Sequence, residues 1–172
     1  TLPVIIGCYN QTLANRFSRK ARKIAKSLGP ERLPLSKERS AAEEWETALG
    51  GGIRAAGVGA GITGMGGKLI MIDDPIKNRK EANSKAYRDA VWEWYTNDLY
   101  TRLEPGGSIV LIMTRWHEDD LAGRILASDD GPNWRVIRAP AIAETQEARD
   151  DAHERMHLPK GLPDPLGRKP GE

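Results

Sequence analysis

The stretch Leu69-Ile70-Met71-Ile72-Asp73-Asp74-Pro75 decides how the rest of the chain is interpreted. Four apolar residues are followed directly by two acids and a proline. An apolar run of this length is typical of a strand that is buried on both faces, as in a parallel sheet. Such a strand would carry Asp73 and Asp74 to the carboxyl edge of the sheet, where α/β proteins bind their ligands.

The acid pair has two interpretations. In the first it is a Walker B element, in which Asp73 holds the Mg²⁺ of a bound nucleotide and Asp74 polarises the attacking water. In the second, Asp-Asp-Pro only caps the turn into the next helix, since acids and prolines are common in such turns. The local sequence leaves both open, because short motifs often arise by chance.

Strand and helix patterns alternate on both sides of this stretch. Upstream we expect a buried strand over residues 4–8 and an amphipathic helix from Asn10 to about residue 28. Residues 30–44 are polar and loop-like, with a short helix around 40–44. Residues 45–49 and 53–56 could then pair as a hairpin.

Downstream, the apolar periodicity predicts one long helix over about residues 78–103. A second apolar strand covers residues 108–113 and ends in Thr114-Arg115. A short helix around residues 121–126 and an alternating strand over 134–138 follow. From residue 144 the chain is charged and rich in Pro and Gly, which predicts an extended or disordered linker.

This alternation predicts an α/β domain with a largely parallel sheet flanked by helices. In such a sheet Asp73, Asp74, Thr114 and Arg115 all lie at the carboxyl ends of strands. The shared position supports a ligand site more strongly than either motif does alone.

Composition narrows the class of protein. A chain of 172 residues with 39% hydrophobic and 29% charged residues fits one globular domain. No apolar stretch approaches the roughly 20 residues that a membrane span needs. The single cysteine, Cys8, closes an apolar run, and we expect it to be a buried thiol in a reducing compartment.

Basic residues are concentrated in the first half of the chain. Residues 1–72 carry 11 Lys and Arg against 5 Asp and Glu, and the helix expected after Asn10 contains no acid up to Leu28. Its cations either form an ordinary solvated face or follow the phosphates of a polyanion.

The glycine-rich run from Gly57 to Gly67 suggests a phosphate cradle at first sight. A P-loop, however, ends in lysine followed by serine or threonine, whereas this run continues as Gly67-Lys68-Leu69. The run is therefore not a Walker A motif.

Several short motifs follow one another along the chain in a specific order. They are Tyr9-Asn10, Phe17-Ser18-Arg19, Gly57-Val58-Gly59, Ile72-Asp73-Asp74-Pro75, Met113-Thr114-Arg115-Trp116-His117 and Asp119-Asp120-Leu121-Ala122-Gly123. Together they resemble the ATPase domain of the large terminase subunit of tailed bacteriophages and prophages. The resemblance covers about residues 4–145.

The resemblance implies a P-loop NTPase fold of the ASCE or RecA-like type that is incomplete at its N-terminus. Residues 1–143 would be part of the ATPase domain, without the Walker A loop expected upstream of Val4. Residues 144–172 would be a linker toward a nuclease domain expected beyond Glu172.

The implied function is a motor that hydrolyses ATP with Mg²⁺ to move double-stranded viral DNA into a procapsid. The implied partners are this DNA, the portal protein and the small terminase subunit, with the motor assembled as a homo-oligomeric ring and no membrane involved. The implied location is the cytoplasm of the bacterial host, transiently at the procapsid portal.

The resemblance also implies roles for four residues. Asp73 would hold Mg²⁺, and Asp74 would orient or deprotonate the attacking water, although many relatives have Glu at that place. Thr114 would couple hydrolysis to motion by sensing the γ-phosphate. Arg115 would either neutralise phosphate charge or form a surface salt bridge.

Other functions remain open at this point. Without a Walker A loop we expect the isolated chain to hydrolyse ATP poorly or not at all, which also fits a truncated prophage remnant without activity. A helicase-like ATPase would use the two Walker B acids in the same way, for Mg²⁺ and for the attacking water. A metal-dependent nuclease ranks low, because adjacent strand residues point to opposite faces and two-metal sites need converging acids.

Overall fold

The computed structural model describes residues 2–156 and 158–172. The chain forms two compact units, the first ending at Leu121 and the second running from Ala122 to Glu172. The first unit contains the sheet, and the second contains short helices and irregular segments.

The sheet of the first unit has six strands in the order β2-β3-β4-β1-β5-β6. The strands are β1 (Pro3–Cys8), β2 (Leu35–Ser40), β3 (Glu44–Thr47), β4 (Gly52–Gly57), β5 (Gly67–Asp73) and β6 (Leu103–Ile112). Strand β1 lies parallel to β4 and β5, and β5 is parallel to β6, while β2, β3 and β4 pair antiparallel. The predicted α/β class, with a mostly parallel sheet flanked by helices, is confirmed.

Five α-helices accompany the strands in the described residues. They are α1 (Gln11–Ser27), α2 (Arg79–Asn83), α3 (Lys85–Glu93), α4 (Leu121–Ala127) and α5 (Gln146–Arg155). A π-helix (Trp94–Leu99) and a 3-10 turn (Tyr100–Arg102) continue α3 toward β6. None of the helices in the described part of the chain has the length and apolar content to cross a membrane.

Helix α1 covers one face of the sheet. Its start is fixed by Asn10, whose Oδ1 accepts a hydrogen bond from the backbone N–H of Leu13 at 2.8 Å. Its buried side includes Ala14, which packs with Ile6 and Cys8 of β1. The helix therefore runs from the carboxyl end of β1 back along the sheet.

The opposite face is covered by the π-helix. Gly7 points to this face because its neighbours in β1 point toward α1. A Cβ at Gly7 would lie only 2.6 Å from Cη2 of Trp94, so the glycine makes room for the indole ring. Ile70 and Ile72 of β5, which also point away from α1, are fully buried.

On the side of the sheet where α1 lies, the part formed by β6 is not covered by the helix. Pairing of β5 with β6 places Val110 and Ile112 on the α1 side, beside Met71 and Asp73. These two apolar side chains are 41% and 54% exposed. Strand β6 is also the last strand of the sheet, so its outer edge has no partner strand among the described residues.

The prediction of a single helix over residues 78–103 is wrong. Ser84 is extended (φ −79°, ψ 113°) and separates α2 from α3, and its hydroxyl accepts a hydrogen bond from the N–H of Tyr87. The side-chain cap stabilises a new helix start that apolar spacing does not reveal. Leu103 already belongs to β6, which begins five residues earlier than predicted.

Four other segments also differ from their predictions. Residues 35–40, expected to be a loop, form β2, where Arg39 bridges to Glu44 and Glu46 of β3. Residues 40–44 form no helix, since Ser40 ends β2 and Glu44 begins β3. Residues 134–138 form no strand. The segment from residue 144, expected to be extended or disordered, contains α5, which Thr145 caps through a bond from the N–H of Ala148.

Candidate functional site

Four parallel strands end together at one edge of the sheet. The register pairs Cys8 with Gly57 on one side and with Asp73 on the other, and Asp73 with Ile112. The residues that follow these strands therefore share one edge. This edge holds Asp73, Asp74 and Thr114, as the sequence predicts for the carboxyl ends of such strands.

Asp73 is the last residue of β5 and is half-buried. Burial, followed by the charge of Asp74, raises the pKa of its carboxyl above the usual range. Within the described residues no Lys, Arg or His forms an ion pair with either acid. The two carboxylates are thus a pair of like charges that no described cation compensates with an ion pair.

Cys8 lies beside this pair, in the neighbouring strand. Burial, with the charges of Asp73 and Asp74 as further causes, raises the pKa of its thiol to about 12. The thiol is therefore protonated at neutral pH. Protonated and fully buried, it is a core residue and not a nucleophile or a metal ligand.

Asp74 joins the ends of three strands. Its N–H donates to the carbonyl of Ile112 at 2.9 Å, and its own carbonyl accepts from the N–H of Tyr9 at 3.2 Å. Its Oδ1 accepts from the N–H of Thr114 at 3.2 Å. Asp74 has a φ of +44°, a left-handed conformation that costs a non-glycine residue roughly 1–2 kcal/mol, although aspartate tolerates it better than most.

Thr114 and Arg115 follow β6 but differ in their contacts. The Thr114 amide is bonded to Asp74, so these two predicted site residues are brought together. The Arg115 guanidinium turns to Asp120 instead, with its Nε 2.8 Å from Oδ2 of that fully buried carboxylate. Arg115 therefore forms a salt bridge here, and a contact with phosphate stays a prediction.

The loop after β6 is anchored to α3 by a second ion pair. Arg88, which is 9% exposed, places its Nε 3.0 Å from Oδ2 of Asp119 and donates through Nη1 to the carbonyl of Ala82. His117 accepts a hydrogen bond from the Asp119 N–H through its Nδ1. These contacts hold in place the segment that carries Thr114 and Arg115.

The glycine run starts at the same edge, where it allows close packing. A Cβ at Gly57 would lie 2.3 Å from the backbone nitrogen of Gln11. The Gln11 side chain accepts from the Gly57 N–H and donates to the Ala55 carbonyl. Gly57 thus lets the end of β4 touch the start of α1.

Sequence reasoning missed two residues at this edge. The N–H of Tyr9 is bonded to Asp74, and Nζ of Lys77 lies 5.7 Å from the centroid of the Tyr9 ring. Lys77 is exposed and lies three residues beyond Asp74. The sequence held two signals for them. Tyr9 belongs to a motif that carries the family resemblance, and each residue lies near a strand end, Tyr9 directly after β1 and Lys77 shortly after the acid pair.

The acid pair fits the metal of a nucleotide better than a metal held by the protein alone. Among the described residues there is no group of three or more His, Cys, Asp or Glu side chains that could hold a metal ion. Mg²⁺ usually takes one or two carboxylates and fills its other positions with phosphate oxygens and water. Two uncompensated carboxylates at a strand end match this donor set.

Comparison with known families gives one match. A family model described as "Terminase large subunit, T4likevirus-type, N-terminal" matches residues 2–161. No curated protein matches the chain. The family match extends over the whole sheet and most of the second unit.

Proposed function

The chain belongs to the T4-like family of terminase large subunits, and from this premise we propose that it is part of an ATP-driven phage DNA-packaging motor. The family acts in phage DNA packaging and is generally an ATPase. The observation that carries the proposal is the uncompensated Asp73–Asp74 pair at the carboxyl edge of a parallel sheet. In this proposal the fold is of the P-loop NTPase type.

Each acid has its own task in the proposed site. Asp73 holds Mg²⁺, which when bound neutralises charge on the phosphates of ATP. Asp74 orients the attacking water, and its three hydrogen bonds to the ends of neighbouring strands fix its position. A fixed carboxylate favours catalysis because orientation is established before the reaction begins.

Thr114 links the site to the rest of the molecule. Because its amide is bonded to the Asp74 carboxylate, a change at the phosphates that moves Asp74 also moves the segment after β6. Arg115 is held by Asp120 and would have to leave that carboxylate to reach a phosphate. We therefore propose Thr114 as the coupling residue.

The groups that grip the phosphates are a separate requirement. No glycine-rich segment of the 172 residues ends in lysine followed by serine or threonine. These residues thus supply the metal and water half of an ATPase site, and we expect slow or undetectable ATP hydrolysis by the chain alone. In the assembled motor, the proposed partners are double-stranded viral DNA, the portal protein, the small terminase subunit and further copies in a ring.

A second candidate is a folded remnant without catalytic activity, in which the acid pair only stabilises the turn after β5, as the bond from the Thr114 N–H to Asp74 Oδ1 would allow. The two candidates differ in whether Asp73 binds Mg²⁺ with nucleotide. Thermal unfolding of the 172-residue chain tests this, because a ligand that binds only the folded state raises the melting temperature. The samples are the chain alone, with ATP and EDTA, and with millimolar Mg²⁺-ATP.

The motor predicts a shift with Mg²⁺-ATP that corresponds to about 2.7 kcal/mol when the ligand is at about 100 times its Kd. Asp73→Asn should abolish the shift, whereas Asp129→Asn, an exposed acid in the second unit, should retain it. An absent shift in the unmodified chain, or an equal shift in Asp73→Asn, would favour the remnant.

A further inference from the structure

Helix α1 carries a stripe of exposed cations. Residues three and four apart lie on the same side of a helix. Five cations follow this spacing opposite the buried Ala14 and Ala25, and all five are exposed: Arg16, Arg19, Lys20, Lys23 and Lys26. Arg22 lies next to them and is partly buried. We call these six residues the α1 basic face.

The α1 basic face has no acidic partner in the part of the chain that the structure describes, and Arg22 donates only to the carbonyl of Ala41. Throughout the described residues none of its six cations forms an ion pair with a carboxylate. Elsewhere in the chain many cations are paired, as Arg54 is with Glu43 and Glu44, or Lys85 with Asp89. The absence of acids is thus a local property of α1.

This arrangement costs helix stability. Pairs of like charges at i and i+3 or i+4, such as Arg16 with Lys20 and Arg19 with Lys23, destabilise a helix. The helix dipole favours cations only in the last turn, and of the six only Lys26 lies there. Local helix physics therefore does not account for the stripe, and a bound polyanion would relieve the repulsion.

A groove with basic and hydroxyl side chains among its lining residues, beside Leu35 and Trp45, extends the face beyond α1. It has a volume of about 320 Å³ and lies between the second half of α1 and strands β2 and β3. Arg22 and Lys26 line it together with Lys37 of β2 and the hydroxyls of Ser36 and Ser40. The one acid in its lining, Glu46, is already bound by Arg39. Arg, Lys and Ser side chains are the groups that proteins use to contact phosphates of nucleic acids.

We propose that the α1 basic face, with this groove, binds the phosphate backbone of double-stranded DNA. The choice of duplex DNA among polyanions rests on the packaging function proposed above. From Arg16 to Lys26 the helix rises about 15 Å, and one DNA strand places a phosphate about every 3.4 Å along the axis. The stripe thus spans about four phosphates of one strand.

Position connects this surface with the acid pair. Helix α1 begins at the carboxyl edge, just after Tyr9, whose N–H is bonded to Asp74. The surface lies along the same helix and extends away from that edge. The nucleotide site and the DNA surface would thus share one rigid element of the fold.

The test is equilibrium binding of the full chain to a labelled duplex of about 20 base pairs, followed by fluorescence anisotropy between about 50 and 200 mM NaCl. The variant replaces Arg16, Arg19, Lys20 and Lys23 by Gln, which keeps helix propensity. Its control replaces two arginines and two lysines outside α1 that are also exposed: Arg79, Lys80, Arg135 and Lys169. Both variants lose four positive charges, so net charge alone affects them equally.

The slope of log K against log salt changes by about 0.9 for each phosphate that the protein no longer neutralises. We expect the α1 variant to have a slope shallower by about three to four and an affinity at least roughly tenfold weaker at about 100 mM salt, whereas the control should weaken by less than half as much. A variant with Arg16 and Arg19 both changed to Lys should bind as the unmodified chain does. Circular dichroism verifies folding, and a milder variant with only Lys20 and Lys23 changed to Gln should show about half of the slope change.

Three results would overturn the proposal. Equal weakening of the α1 variant and its control would assign the binding to net charge. Competition by polyglutamate as strong as that by duplex DNA of equal charge would indicate an acidic protein partner. The third is no binding of the duplex by the unmodified chain at about 50 mM salt. None of these DNA-binding results changes the rise in melting temperature that Mg²⁺-ATP should cause through Asp73. The proposed DNA surface can therefore be wrong while the proposed ATPase site is right, and the reverse.

Discussion

Two buried or half-buried aspartates in this molecule have opposite surroundings. Asp164, in the second unit, accepts hydrogen bonds from the side chain and the N–H of Arg168 and from the N–H of Leu166. These donors, above all the guanidinium, lower the pKa of its carboxyl to about 2. Asp73 has the second carboxylate of Asp74 beside it, and its pKa is raised.

The two aspartates differ in whether cationic side chains surround them, which distinguishes a structural acid from one that is open to a ligand. Asp164 receives an arginine four residues away, and Arg149 lies 3.9 Å from it as well. The Asp74 carboxylate receives one backbone donor, the N–H of Thr114, and both acids remain open to a cation. The α1 basic face is the counterpart of opposite sign, a group of cations left open to a polyanion.

The largest expected effect concerns the packing that builds the edge around the acid pair. A methyl group at Gly57 would meet backbone atoms of Asn10 and Gln11, which cannot move aside as a flexible side chain could. Gly57→Ala should lower the free energy of unfolding by about 3 kcal/mol, measured by urea denaturation. Gly61→Ala is the control, because a Cβ there meets nothing within 4 Å. Equal stability of the two variants would show that the edge is not rigidly packed.

A smaller effect is expected at Asp74. Asp74→Ala places a side chain without polar atoms in the left-handed region and removes the acceptor for the Thr114 amide, whereas Asp74→Asn keeps an oxygen there. We expect Asp74→Ala to be less stable than Asp74→Asn by about 1–2 kcal/mol in the same denaturation experiment. Neither variant should retain the proposed water-orienting charge. Equal free energies of unfolding for the two variants would show that neither the left-handed backbone at residue 74 nor the bond to the Thr114 amide contributes to stability.

The smallest effect, and the sharpest test of the contrast, is the pH dependence of stability. The pKa of Asp164 is lowered on folding, so its contribution is fully present above about pH 4 and is lost as the pH falls through about 2. The pKa of Asp73 is raised, so the folded state binds the proton more tightly and stability falls as the pH rises through the interval above 3.8.

Denaturation at about pH 2, 4 and 7 separates the two behaviours. Asp164→Asn should be less stable than the unmodified chain at about pH 7, with the difference shrinking toward pH 2. Asp73→Asn should be as stable or more stable by less than about 1 kcal/mol at neutral pH, because it removes repulsion at a partly exposed site. Differences of the same sign at neutral pH would remove the distinction between the two acids.

The central part of the fold could be predicted from sequence because its signals are long or unambiguous. β1 and β5 are apolar runs, and α1 has an apolar periodicity that extends over most of its length. The parallel order followed from their alternation, and it placed Asp73, Asp74 and Thr114 at one edge. A continuous apolar run or an apolar stripe of regular spacing predicts a buried element reliably, because every residue in it favours the same buried position.

Other elements depend on contacts that local sequence does not contain. Ser84 divides a helical pattern because its hydroxyl caps α3. Strand β2 forms by antiparallel pairing with β3, and Arg39 adds an ion pair to Glu44 of that neighbouring strand. At the site, the left-handed conformation of Asp74 follows from bonds to two separate strands. The salt bridge of Arg115 depends on the burial of Asp120, which only the folded chain determines.

The uncovered part of the sheet affects how the chain behaves in concentrated solution. The outer edge of β6 presents unpaired backbone donors and acceptors among the residues that the structure describes, and the apolar side chains of Val110 and Ile112 lie beside it. An exposed edge of this kind can pair with a strand of another molecule. Purified samples would therefore be most homogeneous when dilute, and a lysine in place of Val110 is the substitution that we expect to keep them so.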